Sequence, residues 1–227
     1  MIMLDEAFPP QIESQLKLSD GLFLDLSGKG NTITNNGATL TTDHRGRANK
    51  AFTFSSLAYI QSNPNIDFIY GANGKFTCNV GFTYKDNGLS TGYLLSKSSG
   101  AAFELGFGIE RGGNRDIRFT IYDNGANFID TYIPSYVVED GKYFITAVYD
   151  NASSPKMKFF MNGAYLGTNY MSGTFVSIEN KSVPFIIGNS LGFPDFFFSA
   201  SGMSYFSFEN MTFDLSMHQQ LYNEWRK

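Results

Sequence analysis

Residues 156–167 read Lys-Met-Lys-Phe-Phe-Met-Asn-Gly-Ala-Tyr-Leu-Gly, and this stretch decides the fold class. Two short alternating runs of apolar and polar side chains meet at Asn162-Gly163. The Asn-Gly dipeptide supplies the two positive φ angles that a type I′ hairpin turn needs. Another alternating run precedes the stretch at residues 141–150, and an apolar run follows it at 184–189. The sequence therefore predicts antiparallel strands joined by tight turns.

The same period of two recurs through the middle of the chain. The apolar members of three such runs are Phe76, Cys78, Val80, Phe82 and Tyr84, then Phe103, Leu105, Phe107 and Ile109, then Ile117, Phe119 and Ile121. Small or polar residues, among them Asn79, Gly106 and Arg118, occupy the positions between them. One apolar face per strand is typical of antiparallel sheets with a single buried side. Because Gly, Asn and Asp turns separate the runs, we predict an all-β, two-sheet sandwich.

The apolar period shifts by one residue near the C-terminus. Phe206 and Phe208 are in phase with each other, whereas Met211 and Phe213 follow one residue out of phase. One extra residue in a strand would return both pairs to the same face. The shift therefore predicts a β-bulge at Glu209-Asn210.

A short helix is predicted after this strand. Ser216 and Gln219 have the spacing of a capping box, in which the first residue is the N-cap and the fourth completes the reciprocal pair. Leu221, Tyr222 and Trp225 then recur at helical spacing and form one apolar stripe. We predict a C-terminal helix that packs through this stripe.

Composition excludes several classes of protein. The 227-residue chain has a formal net charge of −4 and no cluster of Lys and Arg, which argues against a nucleic-acid partner. No run of about 18 apolar residues is present, so we predict no membrane insertion. Cys78 is the only cysteine, and its place on an apolar strand face favours a buried side chain over a reactive thiol.

Several short motifs occur in the order that one family shows. They are Asp25-Leu26-Ser27-Gly28-Lys29-Gly30-Asn31, then Asp43-His44-Arg45-Gly46-Arg47-Ala48-Asn49-Lys50-Ala51-Phe52-Thr53-Phe54, then Gly141-Lys142-Tyr143-Phe144-Ile145-Thr146-Ala147-Val148-Tyr149-Asp150, the Asn162-Gly163 turn, and Pro184-Phe185-Ile186-Ile187-Gly188. This series resembles the laminin-G-like domains of the concanavalin-A-like lectin/glucanase superfamily. Tyr143 and Phe82 stand where the family usually has Trp. The resemblance implies a two-sheet antiparallel jelly roll over residues 16–227, and we expect residues 1–15 to form an N-terminal arm.

The resemblance also implies a function, since the family mostly binds ligands, above all glycans. Sugar C–H faces stack on aromatic rings, while Asn, Asp and Arg bond the hydroxyl groups. We expect a non-catalytic module that binds cell-surface carbohydrate through two loop-rich regions and a Gly-rich hairpin. The predicted ligand-binding residues are Arg111, Asn114, Arg115, Tyr122, Asp123, Asn124, Asn127, Phe193, Asp195 and Phe196. The alternative is that these rings belong to the core or to subunit contacts.

A second hypothesis concerns assembly. Four Phe side chains within residues 193–198 exceed what one strand face can bury. The N-terminal residues lack the basic and long apolar regions of a secretory signal. These features suggest a structural, decoration or appendage subunit of a larger assembly such as a phage virion, held through the arm and the Phe193–Phe198 loop. Either hypothesis places the protein outside the cell or on a virion.

A structural calcium ion is the cofactor that the resemblance implies. Jelly rolls of this class often hold Ca²⁺ where the loop after the first strand meets the last strand, and calcium takes six to eight oxygen ligands. The candidate ligands are Asp25, Gly28, Asn31, Glu209 and Asn210. The alternative is an Asx-turn at Asp25 and a solvent-exposed carboxylate at Glu209.

The sequence contains no recognisable catalytic set. Glycosidases of this superfamily carry Glu-x-Asp-x-x-Glu or Glu-x-Asp-x-Glu on one strand, and neither pattern occurs here. His44 and His218 belong to no Ser-His-Asp set and to no metal-ligand spacing. We therefore predict that the protein is not an enzyme and that both histidines have surface or turn roles.

Overall fold

The computed structural model describes residues 14–26, 30–55, 57–62, 74–85, 91–99, 102–110, 116–123, 127–133, 138, 140–166, 169–172, 174–178, 183–189 and 202–227. In these ranges the strands of the first half are β1 (Ser14–Ser19), β2 (Leu22–Asp25), β3 (Ile33–Asn36), β4 (Thr39–Thr41), β5 (Ala51–Thr53), β6 (Tyr59–Ser62), β7 (Lys75–Thr83), β8 (Thr91–Ser99) and β9 (Ala102–Glu110). Those of the second half are β10 (Asp116–Tyr122), β11 (Phe128–Ile133), β12 (Lys142–Asp150), β13 (Met157–Met161), β14 (Ala164–Tyr165), β15 (Asn169–Ser172), β16 (Phe185–Ile187) and β17 (Gly202–Glu209). One helix follows, α1 (Leu215–Arg226).

The strands form two antiparallel sheets. The first sheet has the order β14-β13-β12-β7-β17-β1-β2, with β5 paired to β17 and β4 to β5. The second sheet has the order β15-β11-β10-β9-β8-β16-β6-β3. This arrangement confirms the predicted all-β sandwich with a short C-terminal helix. The strand β1, which the sequence patterns did not single out, pairs with β17 and begins at Ser14, inside the predicted arm; residues 1–13 lie outside the described residues.

Aromatic side chains fill the space between the sheets. Phe76 of β7 stacks on Phe208 of β17 with ring centroids 4.9 Å apart, and it meets Phe119 of the second sheet edge-on at 6.1 Å. Cys78 is fully buried beside them as a free thiol. The apolar positions of β7 and β10 therefore face the core as their alternation predicts. Each such side chain contributes roughly 1.5–3 kcal/mol through burial.

The tight turn at Asn162-Gly163 joins β13 to β14. Both residues have positive φ, 49° for Asn162 and 89° for Gly163, as the predicted type I′ turn requires. The Asn162 Oδ1 also accepts a hydrogen bond of 2.8 Å from the backbone N–H of Phe144. The hairpin is thus tied to the neighbouring strand β12.

The helix α1 begins two residues earlier than the predicted capping box. Asp214 is the N-cap, and its Oδ1 accepts a 2.9 Å bond from the backbone N–H of Met217. Ser216 lies inside the first turn, and Gln219 instead donates its Nε2–H to the carbonyl of Gly163. The prediction of Ser216 as N-cap was wrong because the helix begins at Leu215, where the Asp214 carboxylate accepts the otherwise unpaired N–H of Met217.

The predicted bulge at Glu209-Asn210 is also corrected. The strand β17 ends at Glu209, and its register against β7 shifts near Ser204. The pairing with β1 is irregular beside Glu209, but the extra residue lies in β1, between Ser14 and Leu16. Met211 and Phe213 are out of phase with Phe206 and Phe208 because they pack on the opposite side of the sheet, with Val148 and Phe160 beneath α1. The shift in period marks a change of face and not an extra residue.

The central strands of the first sheet are buried on both sides. Thr77 and Asn79 of β7 and Thr146 of β12 point away from the core, yet all three are fully buried. The helix α1 lies over this outer face, so the expectation of a single buried side was wrong for β7 and β12. It holds for β10, where Arg118, Thr120 and Tyr122 are half-buried between fully buried Ile117, Phe119 and Ile121. Among the described residues, no helix has the length and apolar character to cross a membrane.

Candidate functional site

Of the ten predicted ligand-binding residues, Tyr122, Asp123 and Asn127 lie in the described ranges, around the β10–β11 turn. The buried Asp123 carboxylate accepts bonds of 3.0 Å from both the backbone N–H and the side-chain amide of Asn127. The backbone N–H of Asp123 in turn donates to the Asn127 carbonyl at 2.9 Å. This pair closes the hairpin. The remaining seven lie outside the described residues: Arg111, Asn114, Arg115, Asn124, Phe193, Asp195 and Phe196.

Tyr122 lies on the outer face of the second sheet. Its ring packs against Phe128 with centroids 5.6 Å apart, and burial, followed by the charge of Asp130, raises the pKa of its hydroxyl. On the same two strands the Arg118 guanidinium pairs with the Asp130 carboxylate at 3.3 Å, and Thr120 donates to that carboxylate at 3.1 Å. Rings and charged groups thus lie side by side here, on a sheet face.

The predicted calcium ligands come from both ends of the chain. Asp25 is in register with Leu16, which pairs with Phe208, the neighbour of Glu209. Since β1 lies between β2 and β17, the two carboxylate-bearing strands are about 10 Å apart. Asp25 Oδ2 accepts a 2.7 Å hydrogen bond from the backbone N–H of Asn31. A local bond of this kind was the predicted alternative to calcium binding at Asp25.

The other members of the calcium set differ in their surroundings. Glu209 is buried, so the expectation of a solvent-exposed carboxylate was wrong. Its charge raises the pKa of the Cys78 thiol, although burial of the thiol is the larger cause. Asn210 is half-buried in the bend that follows, and Gly28 lies outside the described residues. The described residues hold no group of three or more His, Cys, Asp or Glu side chains that could bind a metal. The oxygen donors fit calcium by type, and calcium stays a prediction.

His218 lies on the side of α1 that faces the sheet and is fully buried, not on the surface as predicted. Its Nε2 accepts a 2.9 Å bond from the backbone N–H of Gly163, so the ring proton is on Nδ1. Nδ1–H donates to Thr146 Oγ1 at 2.7 Å, and the Thr146 hydroxyl donates to Asn79 Oδ1 at 2.6 Å. Burial lowers the His218 pKa to about 4. The histidine therefore holds the helix on the sheet in its neutral form.

His44 has a similar structural role. It lies in a turn, as predicted, but its ring is buried and stacks on Trp225 with centroids 3.8 Å apart. Its Nε2 bonds the Trp225 carbonyl at 2.6 Å, and its Nδ1 bonds Ser204 Oγ at 2.9 Å. Burial lowers the pKa of His44 and the bond to Trp225 partly opposes that effect. His44 also borders a small cavity of about 130 Å³, together with Ser204, Glu224 and Trp225.

A cleft of about 530 Å³ opens beside the start of α1, and sequence reasoning did not predict it. We call it the helix-start cleft. Its floor includes the buried rings of Phe160 and Phe213, and Tyr165 of β14 lies on its rim with 47% of its surface exposed. Its polar lining comes from Asp150, Lys156, Lys158, Thr212 and Asp214. The ring of Tyr165 meets Phe160 edge-on at 5.5 Å, which fixes its orientation.

The carboxylates of this cleft are bound by the protein itself. Asp150 accepts bonds from the Ser153 hydroxyl at 2.7 Å and the Ala152 N–H at 3.0 Å. The Ser153 bond is the main cause of the lowered Asp150 pKa. Asp214 caps α1. A glycosidase acid needs a raised pKa, so Asp150 is arranged for hydrogen bonding and not for proton transfer.

The family model for the concanavalin A-like lectin/glucanases superfamily matches residues 33–201 of the sequence. No curated protein sequence matches the chain.

Solved structures with a similar fold include receptor-binding domains of toxins. The binding domain of Paraclostridial mosquitocidal protein 1 has a TM-score of 0.68 at 15% identity and covers 94% of this chain and 52% of its own. A structure of botulinum neurotoxin type C has a TM-score of 0.68 at 13% identity, and the match covers 95% of this chain and 52% of the neurotoxin chain. Cell entry of that toxin depends upon interaction with two ganglioside molecules. The binding domain of botulinum neurotoxin DC in complex with rat synaptotagmin II has a TM-score of 0.66 at 14% identity. The match covers 95% of this chain and 52% of the neurotoxin chain. The chain spans about half the length of these structures, and at such identity the similarity shows the fold alone.

Proposed function

Since the chain belongs to the concanavalin A-like lectin/glucanases superfamily, we propose that it is a non-catalytic recognition module that binds cell-surface carbohydrate in the helix-start cleft. Tyr165 carries this proposal. Its ring is about half exposed above an apolar floor, beside side chains that can bond hydroxyl groups. A pyranose presents an apolar C–H face to such a ring and hydroxyl groups around its edge.

The polar lining of the cleft supports the same ligand class. Lys158 supplies N–H donors, while Asp150 and Thr212 supply oxygen acceptors in the lining of the cleft. Hydrogen bonds that involve a charged partner are about twice as strong as neutral ones, so a few of them orient a neutral sugar. The apolar floor of Phe160 and Phe213 does not suit a highly charged ligand such as a nucleic acid.

The similarity to toxin binding domains supports a cell-surface origin for the sugar. One of these structures belongs to a toxin whose cell entry depends upon interaction with two ganglioside molecules, and another is in complex with rat synaptotagmin II. We carry over only the class of ligand, a surface glycan, because the chain spans about half of each of those structures.

A glycan array probed with the labelled protein tests the proposal. We expect binding to defined oligosaccharides, and Tyr165→Ala should weaken it at least tenfold, or about 1.4 kcal/mol. Tyr165 lies on an edge strand and is exposed, so the thermal melting curve should stay close to that of the wild type.

Tyr122→Ala is the matched control, since Tyr122 is a half-buried ring on the opposite sheet. Its affinity for the same sugar should be unchanged. Absence of any bound glycan would contradict the proposed function. Loss of binding in Tyr122→Ala alone would keep the function and move the site to the β10–β11 hairpin that the sequence analysis favoured.

Membership of a larger assembly, such as a virion appendage, is the second candidate function. The observation that favours it is a row of exposed leucines on β2, far from the helix-start cleft. The Phe193–Phe198 loop and residues 1–13, on which the assembly hypothesis first rested, lie outside the described residues. The two functions are compatible, because an appendage subunit can also bind a host glycan.

A further inference from the structure

Two charged side chains of the helix-start cleft are already bound by the protein. Lys156 donates from its ammonium group to the Asn151 carbonyl at 3.0 Å and to the side-chain oxygen of the same residue. Both carboxylate oxygens of Asp150 accept hydrogen bonds, one from the Ala152 N–H and one from the Ser153 hydroxyl. Lys156 and Asp150 therefore serve the fold before any ligand arrives.

Three other polar groups of the lining have capacity to spare. Asp214 uses Oδ1 to cap α1, and its Oδ2 has no hydrogen-bond partner within the described part of the chain. The Lys158 ammonium and the Thr212 hydroxyl also have no such partner there. The cleft thus offers a ligand one anionic acceptor, one cationic donor and one hydroxyl group. Since the two charges cancel, they suit a neutral group that both donates and accepts.

The segment that carries Thr212 and Asp214 is fixed to the sheet. The buried Thr77 hydroxyl of β7 donates to the Met211 carbonyl at 2.6 Å and accepts from the Phe213 N–H at 3.0 Å. Thr212 and Asp214 are the two neighbours of Phe213 in the chain, so both are held close to this anchor. A site whose polar groups are in place before binding loses less entropy when the ligand arrives.

The cleft also exposes two large apolar side chains. Tyr165 is 47% exposed, and Leu215, the first residue of α1, is 38% exposed. In the proposed function the apolar face of a sugar stacks on Tyr165. A simple hexose has hydroxyl groups around its edge and no methyl group for Leu215 to contact. A sugar with an apolar substituent would use both side chains.

We propose that the helix-start cleft selects 2-acetamido sugars over their parent hexoses. This inference rests on the proposed function, because it names the class of sugar for the same cleft. The acetamido N–H donates to Asp214 Oδ2, its carbonyl accepts from Lys158, and its methyl group packs on Leu215. Asp214 and Leu215 are adjacent in the chain, so an acceptor lies beside an apolar contact. A deoxy sugar also has a methyl group, but it lacks the amide.

Saturation-transfer NMR with free sugars tests the selection. The matched pairs are N-acetylglucosamine with glucose, N-acetylgalactosamine with galactose, and N-acetylmannosamine with mannose, which differ only at C2. We expect an N-acetyl sugar to bind at least about tenfold more tightly than its parent, as one extra apolar group in a pocket allows. Its acetyl methyl protons should receive the strongest saturation, because they contact the protein most closely.

Asp214→Asn separates sugar recognition from helix capping. Asn caps helices about as well as Asp, but here it replaces the spare acceptor with an N–H donor. The variant should melt close to the wild type and bind the parent hexose as before, yet lose most of its preference for the N-acetyl sugar. Leu215→Ala and Lys158→Met should also reduce the preference. Lys156→Met is the matched control: its ammonium is held by Asn151, so the preference should be unchanged.

The outcomes separate this inference from the proposed function. Equal affinity for an N-acetyl sugar and its parent, lost in Tyr165→Ala, would keep the proposed function and overturn the selection. A preference that neither Asp214→Asn nor Leu215→Ala reduces would overturn it as well. If no sugar binds, on the array or in solution, the proposed function fails and the selection fails with it.

Discussion

Trp225 connects the C-terminal helix to three parts of the fold at once. Its indole Nε1–H donates to Ser204 of β17 at 2.9 Å, its carbonyl accepts from His44, and its ring packs on Phe144 of β12 with centroids 5.5 Å apart. The indole also lies directly over Gly81 of β7. Only a residue without a side chain permits this approach. The position of the helix is therefore fixed by a glycine on the strand beneath it.

We predict that Gly81→Ala displaces Trp225. A Cβ at this position would overlap the indole ring, and overpacking of this kind costs about 1–3 kcal/mol. The chain has one tryptophan, so its fluorescence should shift to longer wavelength as the ring is exposed. Urea unfolding gives the loss of stability.

A double variant serves as the control for that prediction. In a Trp225→Ala background the clash is absent, so adding Gly81→Ala should cost little further stability. Equal losses from Gly81→Ala in both backgrounds would show that the alanine acts on β7 itself and not on the indole.

At the scale of single residues, the sequence could not reveal the buried histidines. His218 bonds Gly163 and Thr146, and His44 bonds Ser204 and Trp225, all partners far away along the chain. Periodicity identifies which face of an element is apolar, but it carries no information on which distant polar group meets a lone histidine. Tyr165 was missed for a related reason. Its place in the hairpin was predictable, whereas the cleft beside it depends on α1.

At the scale of elements, the helix α1 is held to the first sheet by polar contacts as much as by apolar ones. The sheet beneath it presents buried Thr77, Asn79 and Thr146, and the apolar cluster between sheet and helix is small. His218 is the centre of the polar set. Its neutral form is required, because Nε2 must accept the Gly163 N–H.

We predict that acid weakens this contact. The His218 pKa is about 4 in the folded protein and near 6.5 when unfolded, so the unfolded chain binds the proton first. Stability is thus complete above pH 6.5 and falls as the pH decreases towards 4. With each pKa unit equal to about 1.4 kcal/mol, the loss at pH 4 should be roughly 3 kcal/mol.

Urea midpoints between pH 7 and pH 4 measure this loss. The variant His218→Gln lacks the titrating ring and should show a shallower decline over the same range, although it is less stable at pH 7. Parallel curves for the wild type and the variant would contradict a role for His218. His44→Gln gives a comparison at the second buried ring.

Most elements were predictable, and their exact ends less so. The turn at Asn162-Gly163 and the apolar faces of β7 and β10 follow from local sequence, because turn chemistry and the period of two act within a few residues. The N-cap of α1 and the packing of Met211 and Phe213 on the outer face of the sheet could not be predicted from local sequence. Both depend on α1 lying across the outer face of the sheet, which is a tertiary contact.

At the scale of the whole molecule, strands from the two ends of the chain meet in the first sheet. β1 lies between β2 and β17, so the strands that carry Asp25 and Glu209 are two strand spacings apart in one sheet. The sandwich itself was predictable from the motifs in order, since they form its sheets.

We predict that calcium raises the melting temperature if Asp25 and Glu209 share an ion. At a concentration 100 times the Kd, a ligand of the folded state adds about 2.7 kcal/mol of stability. For a domain of this size each kcal/mol shifts Tm by roughly 2–4 °C. Melting curves with CaCl₂ and with EDTA measure the difference.

Asp25→Asn provides the control for calcium, since it removes one charge and keeps an acceptor for the Asn31 N–H. Its Tm should respond less to calcium than that of the wild type. A wild-type Tm that EDTA does not change would count against the ion.

The place of β7 between β12 and β17 has a consequence for synthesis of the protein. Both neighbours come later in the chain, and β17 nearly at its end. On the ribosome, one edge of β7 must therefore wait for β12 and the other edge for β17 before each can pair. An apolar strand in that state is prone to aggregate, but Thr77, Asn79 and Gly81 interrupt its apolar residues. The polar side chains that later contact the helix thus also help the nascent chain to stay soluble.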